Sequence, residues 1–364
     1  MIIAAHIEQN KGSTSLLLKY ISSIAVEQAC VQFILFCEAP EATGPLPANC
    51  KTAPLKPSPK NSLLLHYWLN YTLPSLLKKY KANLFISENN TCSLRTTLPQ
   101  LMLVKQYFTA TASGNKVRYT RYLKKYFFSF ASKAARICTT NPVLGEELGS
   151  RYPVLKDKIS NIYHGLAEGY GPIDAPQQAD ILNDHTNGSY FFVCECNATN
   201  STQMVTVLKA FSIFKKRLKS SLQLVLINKG NHNPIPDFHL YKHRKEVQVL
   251  TGTTQQDEAK IVAAAYAAIE ISSSQMENDW GLQCMQCDIP LITIESKLAR
   301  QLYYDAATYT EPDEKILADK LMLLYKDENY RSMQIGKGKS VAAPYTWQHC
   351  SQLLWQSILQ CCND

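Results

Sequence analysis

Three close cysteine pairs are the first residues that suggest chemistry: Cys194-x-Cys196, Cys284-x-x-Cys287 and Cys361-Cys362. A structural zinc site needs four ligands in two matched pairs, and these pairs stand in unlike contexts with no histidine nearby. Twelve cysteines could instead suggest a disulfide framework, but such frameworks belong to short secreted chains. The cysteines are therefore read as reduced, mostly buried thiols. A second group of residues is basic. The net charge of +8 concentrates at Lys78-Lys79-Tyr80-Lys81 and between Lys116 and Lys125, where Arg118, Arg121 and Lys124 also fall. Tyr119, Tyr122, Tyr126, Phe127 and Phe128 are interleaved with the second run. That pattern fits a solvated helix face opposite a tyrosine-rich core face. It also fits a surface docking on anionic lipid or a lipid-linked diphosphate. Nucleic acid is not the expected partner, because no recognised binding motif accompanies the charge. No Gly-x-Gly-x-x-Gly follows the first strand of either half, which argues against a dinucleotide-dependent oxidoreductase.

The elements that must position any site repeat one grammar: apolar strand, loop, amphipathic helix. At 364 residues the length predicts two domains. Strands are expected over Ile2 to Ile7, Val31 to Phe36, Leu84 to Ser87, Gln100 to Val104, Arg136 to Thr139 and Lys158 to Tyr163. Helices alternate with them over Leu16 to Glu27, Leu63 to Lys81, Tyr119 to Lys133 and Leu144 to Arg151. Pro40 to Pro59, dense in proline, reads as an irregular connection, and Gly165 to Gly188 as a linker. Beyond it, strands are expected at Tyr190 to Val193, Leu222 to Ile227, Val247 to Leu250, Ala268 to Ile271 and Pro290 to Thr293. Helices are expected at Gln203 to Leu218, Gln255 to Ala264, Lys315 to Tyr325, Tyr330 to Lys339 and Trp347 to Leu359. Strands alternating with helices imply doubly wound parallel sheets that bind ligands at the carboxyl ends of their strands. The start is too soon polar for a signal peptide, and no window is long and apolar enough to span a bilayer. The expected location is therefore the cytoplasm.

Tyr190 to Phe211, a strand, turn and helix, and Leu222 to Gly230, the next strand and turn, resemble the opening of the donor domain of family-four glycosyltransferases. Val247 to Gly252, Ala263 to Ile269, Trp280-Gly281-Leu282, Cys287 to Ile292 and Asp305 to Tyr309 follow in family order. In the first half, Ile137 to Asn141 and Ile159 to Gly165 resemble the end of the acceptor domain. The resemblance implies an α/β protein of the GT-B type, with two Rossmann-like, doubly wound parallel-sheet domains facing across a cleft. Residues 1–165 would form the acceptor side and 185–344 the nucleotide-sugar donor domain, with the helix in 345–364 packing back near the first.

The same resemblance implies transfer of a sugar, with retention and no required metal or other cofactor, from a nucleotide-diphosphate sugar to a glycan or lipid-linked acceptor. Negative charge grows on the leaving diphosphate, so cations and helix N-termini are needed around it. Ser201 and Thr202 stand where the family places Arg and Lys, with Gln203 after them. Cys196 and Asn228 stand where turn glycines are usual. Glu277 corresponds to the glutamate near the sugar, and Gln283, after Gly281 and Leu282, to the one that holds the ribose. Lys105-Gln106 replaces a strand-end His-Asp, and Lys229 follows a strand end from which it could reach a phosphate. Catalytic roles fall on Glu277 and Lys105, and donor contacts on Ser201, Thr202, Gln203, Lys229, Gly281, Leu282 and Gln283. The thinned charge leaves a second function open: a catalytically impaired relative that binds a glycan or a partner enzyme.

Overall fold

A computed structural model describes the chain outside residues 8–14, 56–60, 89, 106–114, 197–200, 231–237, 272–279 and 364. Within the described residues the chain divides into two compact units, Met1–Gly165 with Tyr345–Asp364, and Leu166–Pro344.

The first unit starts with β1 (Ile2–His6), α1 (Leu16–Glu27), β2 (Gln32–Cys37) and β3 (Cys50–Pro54). A long helix follows, made of α2 (Ser62–Tyr67) and α3 (Leu73–Lys79) joined through a π turn at Trp68–Thr72. Then come β4 (Leu84–Ser87), β5 (Gln100–Val104), α4 (Asn115–Lys133), β6 (Arg136–Thr139), α5 (Pro142–Arg151) and β7 (Ile159–Asn161). The strands pair in parallel in the order β3-β2-β1-β4-β5-β6-β7. β4 and β5 are buried at every position, as strands covered by helices on both sheet faces must be. Side chains from alternate positions feed two cores. Phe36, Trp68, Phe85 and Phe130 anchor one, and Tyr20, Phe33, Leu84 and Leu354 the other.

The second unit runs α6 (Ala175–Thr186), β8 (Phe191–Cys196), α7 (Ser201–Leu218), β9 (Gln223–Asn228), β10 (Val247–Thr251), α8 (Gln255–Ala264), β11 (Ala267–Glu270) and α9 (Trp280–Gln286). It continues with β12 (Leu291–Ile294), α10 (Lys297–Tyr303), β13 (Ala307–Thr310), α11 (Glu314–Lys326) and α12 (Glu328–Ala342). Its parallel sheet is ordered β10-β9-β8-β11-β12-β13. The last helix, α13 (Trp347–Asn363), belongs to the first unit, where Cys350, Leu354, Ile358 and Cys361 complete the second of its cores. Counted within its own unit, each sheet winds third, second, first, fourth and outward, the order of doubly wound nucleotide-binding folds.

Four elements depart from the sequence-based expectation. The proline-dense connection holds the edge strand β3, and the expected linker holds α6, capped by Asp174 and packed on α8 through Gln178 and the Ala264 carbonyl. The short elements α10 and β13 lie in a stretch for which no element was expected. All twelve cysteines are free thiols, nine of them buried. Among the described residues no helix is long and apolar enough to cross a membrane, and no cluster of His, Cys, Asp and Glu could hold a metal ion.

Candidate functional site

The winding of each sheet reverses beside its first strand, between β1 and β4 and between β8 and β11. Ligands of such sheets seat outside the carboxyl ends of the strands at this reversal, where neighbouring loops diverge. Each of those two places is a candidate site within its own unit.

In the first unit the reversal carries His6 at the end of β1 and Glu88 just after β4. Glu88 is buried and accepts hydrogen bonds from Ser15 Oγ at 2.5 Å and the Leu17 backbone N–H at 3.1 Å. Its other partner is the Lys105 ammonium at 2.5 Å, one residue beyond β5. Burying a carboxylate costs least when it is both paired and hydrogen-bonded, and Glu88 is both. Ser15 also caps α1 by accepting from the Leu18 N–H at 3.1 Å. Lys105 is thus a strand-end cation, 27 % exposed and committed to Glu88.

In the second unit Cys196 and Asn228 end neighbouring strands in register, and the Lys229 N–H donates to the Cys196 carbonyl at 2.9 Å. The Lys229 ammonium pairs with Glu258 of α8 while keeping 40 % of its side chain exposed. Glu258 is buried, and the Tyr170 hydroxyl faces it. Burial, reinforced by the Glu258 charge, holds that phenol well above its ordinary pKa. Thr202 and Gln203 lie in the first turn of α7, which follows β8, Thr202 exposed and Gln203 half-buried. Ser201 opens that helix, and its side chain lies outside the described residues, as do Glu277 and Gln106.

The other side of the reversal is built on Glu270, the last residue of β11. Its carboxylate accepts from Thr293 Oγ1 at 2.9 Å and from the Tyr303 hydroxyl at 3.0 Å, and it also receives the Gly281 backbone N–H. Burial pushes its pKa up to about 7, against the pull of those three donors and with a smaller push from Glu195. Gly281 is a glycine for a packing reason: a β-carbon there would collide with the Tyr303 hydroxyl and stand 2.8 Å from Leu291 Cδ2. Leu282 is wholly buried and seats α9 on the sheet, whereas Gln283 is half-buried on the same helix. Burial raises the thiols of Cys194 and Cys284, and of Cys196 and Cys287 to about 12, which leaves them protonated and unreactive.

The expected donor residues thus fall into two groups, Thr202, Gln203 and Lys229 beyond β8 and β9, and Gly281, Leu282 and Gln283 on α9. Sequence reasoning missed Glu88, Glu258, Glu270 and Tyr303. The one available signal was an acid ending an apolar strand, as in Ala267-Ala268-Ile269-Glu270. An open groove at the edge strand β13, lined by Arg300, Tyr309, Tyr330 and Lys337, contains none of the expected residues.

No family model matches the sequence, and no curated protein matches it. Solved structures match over nearly the whole chain. A glycosyltransferase from Rickettsia africae ESF-5 is 11% identical, with 98% of this chain and 97% of that one covered and a TM-score of 0.72. The sucrose-phosphate synthase of Thermosynechococcus elongatus is 14% identical, with 99% and 98% covered and a TM-score of 0.70. Anabaena HepE, crystallised with UDP-glucose, is 11% identical, with 99% of each chain covered and a TM-score of 0.66. The fold these likenesses define is that of the GT-B glycosyltransferases, carried here by two parallel sheets of seven and six strands.

Proposed function

We propose that this chain moves a sugar from a nucleotide-diphosphate sugar to a glycan or lipid-linked acceptor, with retention, in the manner of family-four enzymes. The observation that carries the reading is the doubly wound second sheet. α7 follows β8, the strand beside which this sheet reverses, and Lys229 follows β9, the strand paired with β8. A helix N-terminus presents unpaired N–H groups to an anion, and Lys229 supplies a cation near the same strand ends. Such preorganised groups stabilise the charge that grows on a departing diphosphate. Thr202 and Gln203 add neutral donors. In this reading Glu277 orients the sugar, Gln283 accepts from the ribose hydroxyls, and no metal is required. HepE, which holds UDP-glucose in its own crystal structure, supports a uridine nucleotide as the first ligand to test.

A second reading, a catalytically impaired relative that binds a glycan or a partner enzyme, is favoured by one observation. Both lysines expected to act as free cations are paired with buried glutamates, Lys105 with Glu88 and Lys229 with Glu258. Two charged contacts missing from a diphosphate, each worth roughly 1.5–3 kcal/mol, would slow turnover about 100- to 10,000-fold. Calorimetry with UDP-glucose and a panel of uridine- and guanosine-diphosphate sugars, with a chelator present, is expected to detect binding. Release of nucleoside diphosphate from the bound donor then separates transferase from binding protein. No heat with any donor would sink the transferase reading and leave the second.

The chain is also proposed to work at an anionic membrane surface. Leu63, Tyr67 and Tyr71 are exposed at four-residue intervals along the α2–α3 helix, and Lys78 and Lys79 are exposed in its last turn. His66 packs on Tyr122 and Tyr126 of α4, whose neighbours Arg121 and Lys125 are exposed. An apolar stripe flanked by lysine and arginine is what interfacial binding to anionic lipid uses. Sedimentation with phosphatidylserine-containing vesicles should carry the protein down at low salt, and phosphatidylcholine vesicles should not. Equal behaviour with both, or unaltered binding by a Leu63→Ser, Tyr67→Ser, Tyr71→Ser variant, would refute it.

A further inference from the structure

We propose that Glu270 is a positioning residue for nucleotide-sugar binding: its carboxylate fastens the start of α9 to β12 and α10, and so shapes the carboxyl end of β11. The inference rests on the reading of this unit as the donor side.

Three observations carry it. First, Glu270 ends the strand at which the winding of the second sheet reverses, the place where ligands of such sheets seat. Second, its donors come from three different elements, Thr293 on β12, Tyr303 on α10 and the Gly281 backbone on α9. One side chain therefore sets the spacing of three elements, and α9 carries Gln283, the expected ribose contact. Third, no cation among the described residues pairs with the buried carboxylate. The groups facing it are Cys194 and Glu195 of β8, Cys284 of α9 and Tyr303 of α10, and the charge among them is another acid.

A carboxylate accepts at both oxygens, whereas the protonated acid must spend one oxygen on its own O–H. Near neutrality, where Glu270 takes up its proton, the acid form holds Gly281, Thr293 and Tyr303 less tightly, because one hydroxyl must turn round to accept from it and the charge that strengthened all three bonds is lost. Positioning should be intact on the alkaline side and loosened on the acid side. If the Glu270 charge instead acted directly on a bound diphosphate, the order would be reversed, because an anion binds better beside a neutral acid.

UDP-glucose suits the test because its diphosphate has no group that titrates near neutrality. Its affinity for the full chain, measured by calorimetry from pH 5.5 to 8.5, should weaken on the order of tenfold on acidification, with a midpoint near the Glu270 value. Glu270→Gln should flatten the profile. Tyr303→Phe should move the midpoint upward, because the Tyr303 hydroxyl is one of the groups that lowers the Glu270 pKa. A wild-type affinity that rises on acidification, or a Glu270→Gln profile identical to the wild type, overturns the inference. Absence of binding at every pH by UDP-glucose and the rest of the donor panel overturns the donor-side reading instead, and amide exchange then decides the inference alone. Relative to Glu270→Gln at the same pH, the wild-type Gly281 amide should be protected above neutrality and lose that protection below it. Equal protection throughout means that Glu270 does not hold α9.

Discussion

Glu88 and Glu270 occupy equivalent places, each at the carboxyl end of the fourth strand of its unit, and they solve burial differently. Glu88 has an ammonium at 2.5 Å from Lys105, whereas among the described residues Glu270 has neutral donors and an acid nearby. Burial with neutral partners makes Glu270 a group that titrates near neutrality. The sign for stability follows. Because Glu270 has its pKa raised from 4.5 to about 7 in the folded state, the folded protein holds that proton more tightly than the unfolded chain. Its contribution is most favourable below about pH 4.5, shrinks as pH rises through this window and is level above about 7. The strand-end lysines of this site were legible as lysines, but not as members of pairs. Lys229 and Glu258 are 29 positions apart, and only the winding of the sheet brings them together. Gly281 was legible as part of a motif, and the structure adds the reason, contact with Tyr303. It has a control in Gly336, exposed in α12, where a β-carbon would meet no atom within 4 Å. Gly281→Ala should cost about 1–3 kcal/mol through overpacking. Gly336→Ala should gain about 0.5–1 kcal/mol by restricting the unfolded chain. Urea unfolding of the two variants reads both signs, and equal midpoints would mean that the contact with Tyr303 does not constrain position 281.

At the scale of elements, legibility followed burial. The central strands were plain in the sequence because a parallel strand covered on both faces is an unbroken apolar run, as in Phe33 to Phe36 or Leu224 to Ile227. Edge elements lack that signal. β3 reads Cys-Lys-Thr-Ala-Pro, with one buried residue, Ala53, and a proline that an edge strand tolerates. α6 buries only Leu182 and Thr186, so its period is too faint to see. Its punctuation was present nonetheless: Asp174 as N-cap, Pro176 in the first turn, and Asn187 in the left-handed conformation at the end. Those residues resemble a linker in composition, because caps and turns draw on the same amino acids. α10 and β13 are short, seven and four residues, and the period of so short a segment does not separate strand from helix. What α10 supplies is Tyr303, so an element invisible to periodicity delivers a group that holds Glu270.

At the scale of the molecule, the first unit is assembled from two stretches of chain separated by the whole of the second. α13 returns to pack against α1, β5 and β6. Leu354 and Ile358 are fully buried, and Trp347 meets Tyr20 at 5.6 Å and lies under the Lys19 ammonium. Ser357 Oγ adds a hydrogen bond with Ser160 Oγ at 3.1 Å. The fit is close enough that a β-carbon at Gly165 would stand 2.6 Å from the Trp347 backbone. Burying Leu354 and Ile358 alone is worth roughly 3–6 kcal/mol, a large share of the roughly 5–15 kcal/mol that holds a domain folded. One core cluster of the second unit is built from residues between Phe192 and Leu324, none of them in α13. Removing residues 345–364 should therefore collapse protection in one unit and spare the other. Hydrogen exchange read by mass spectrometry on the truncated chain is expected to show α1 and β6 exchanging quickly while β8 and β9 stay protected. Uniform loss would mean that the units fold as one cooperative body, and unchanged exchange in α1 would mean that α13 only covers a core that stands without it.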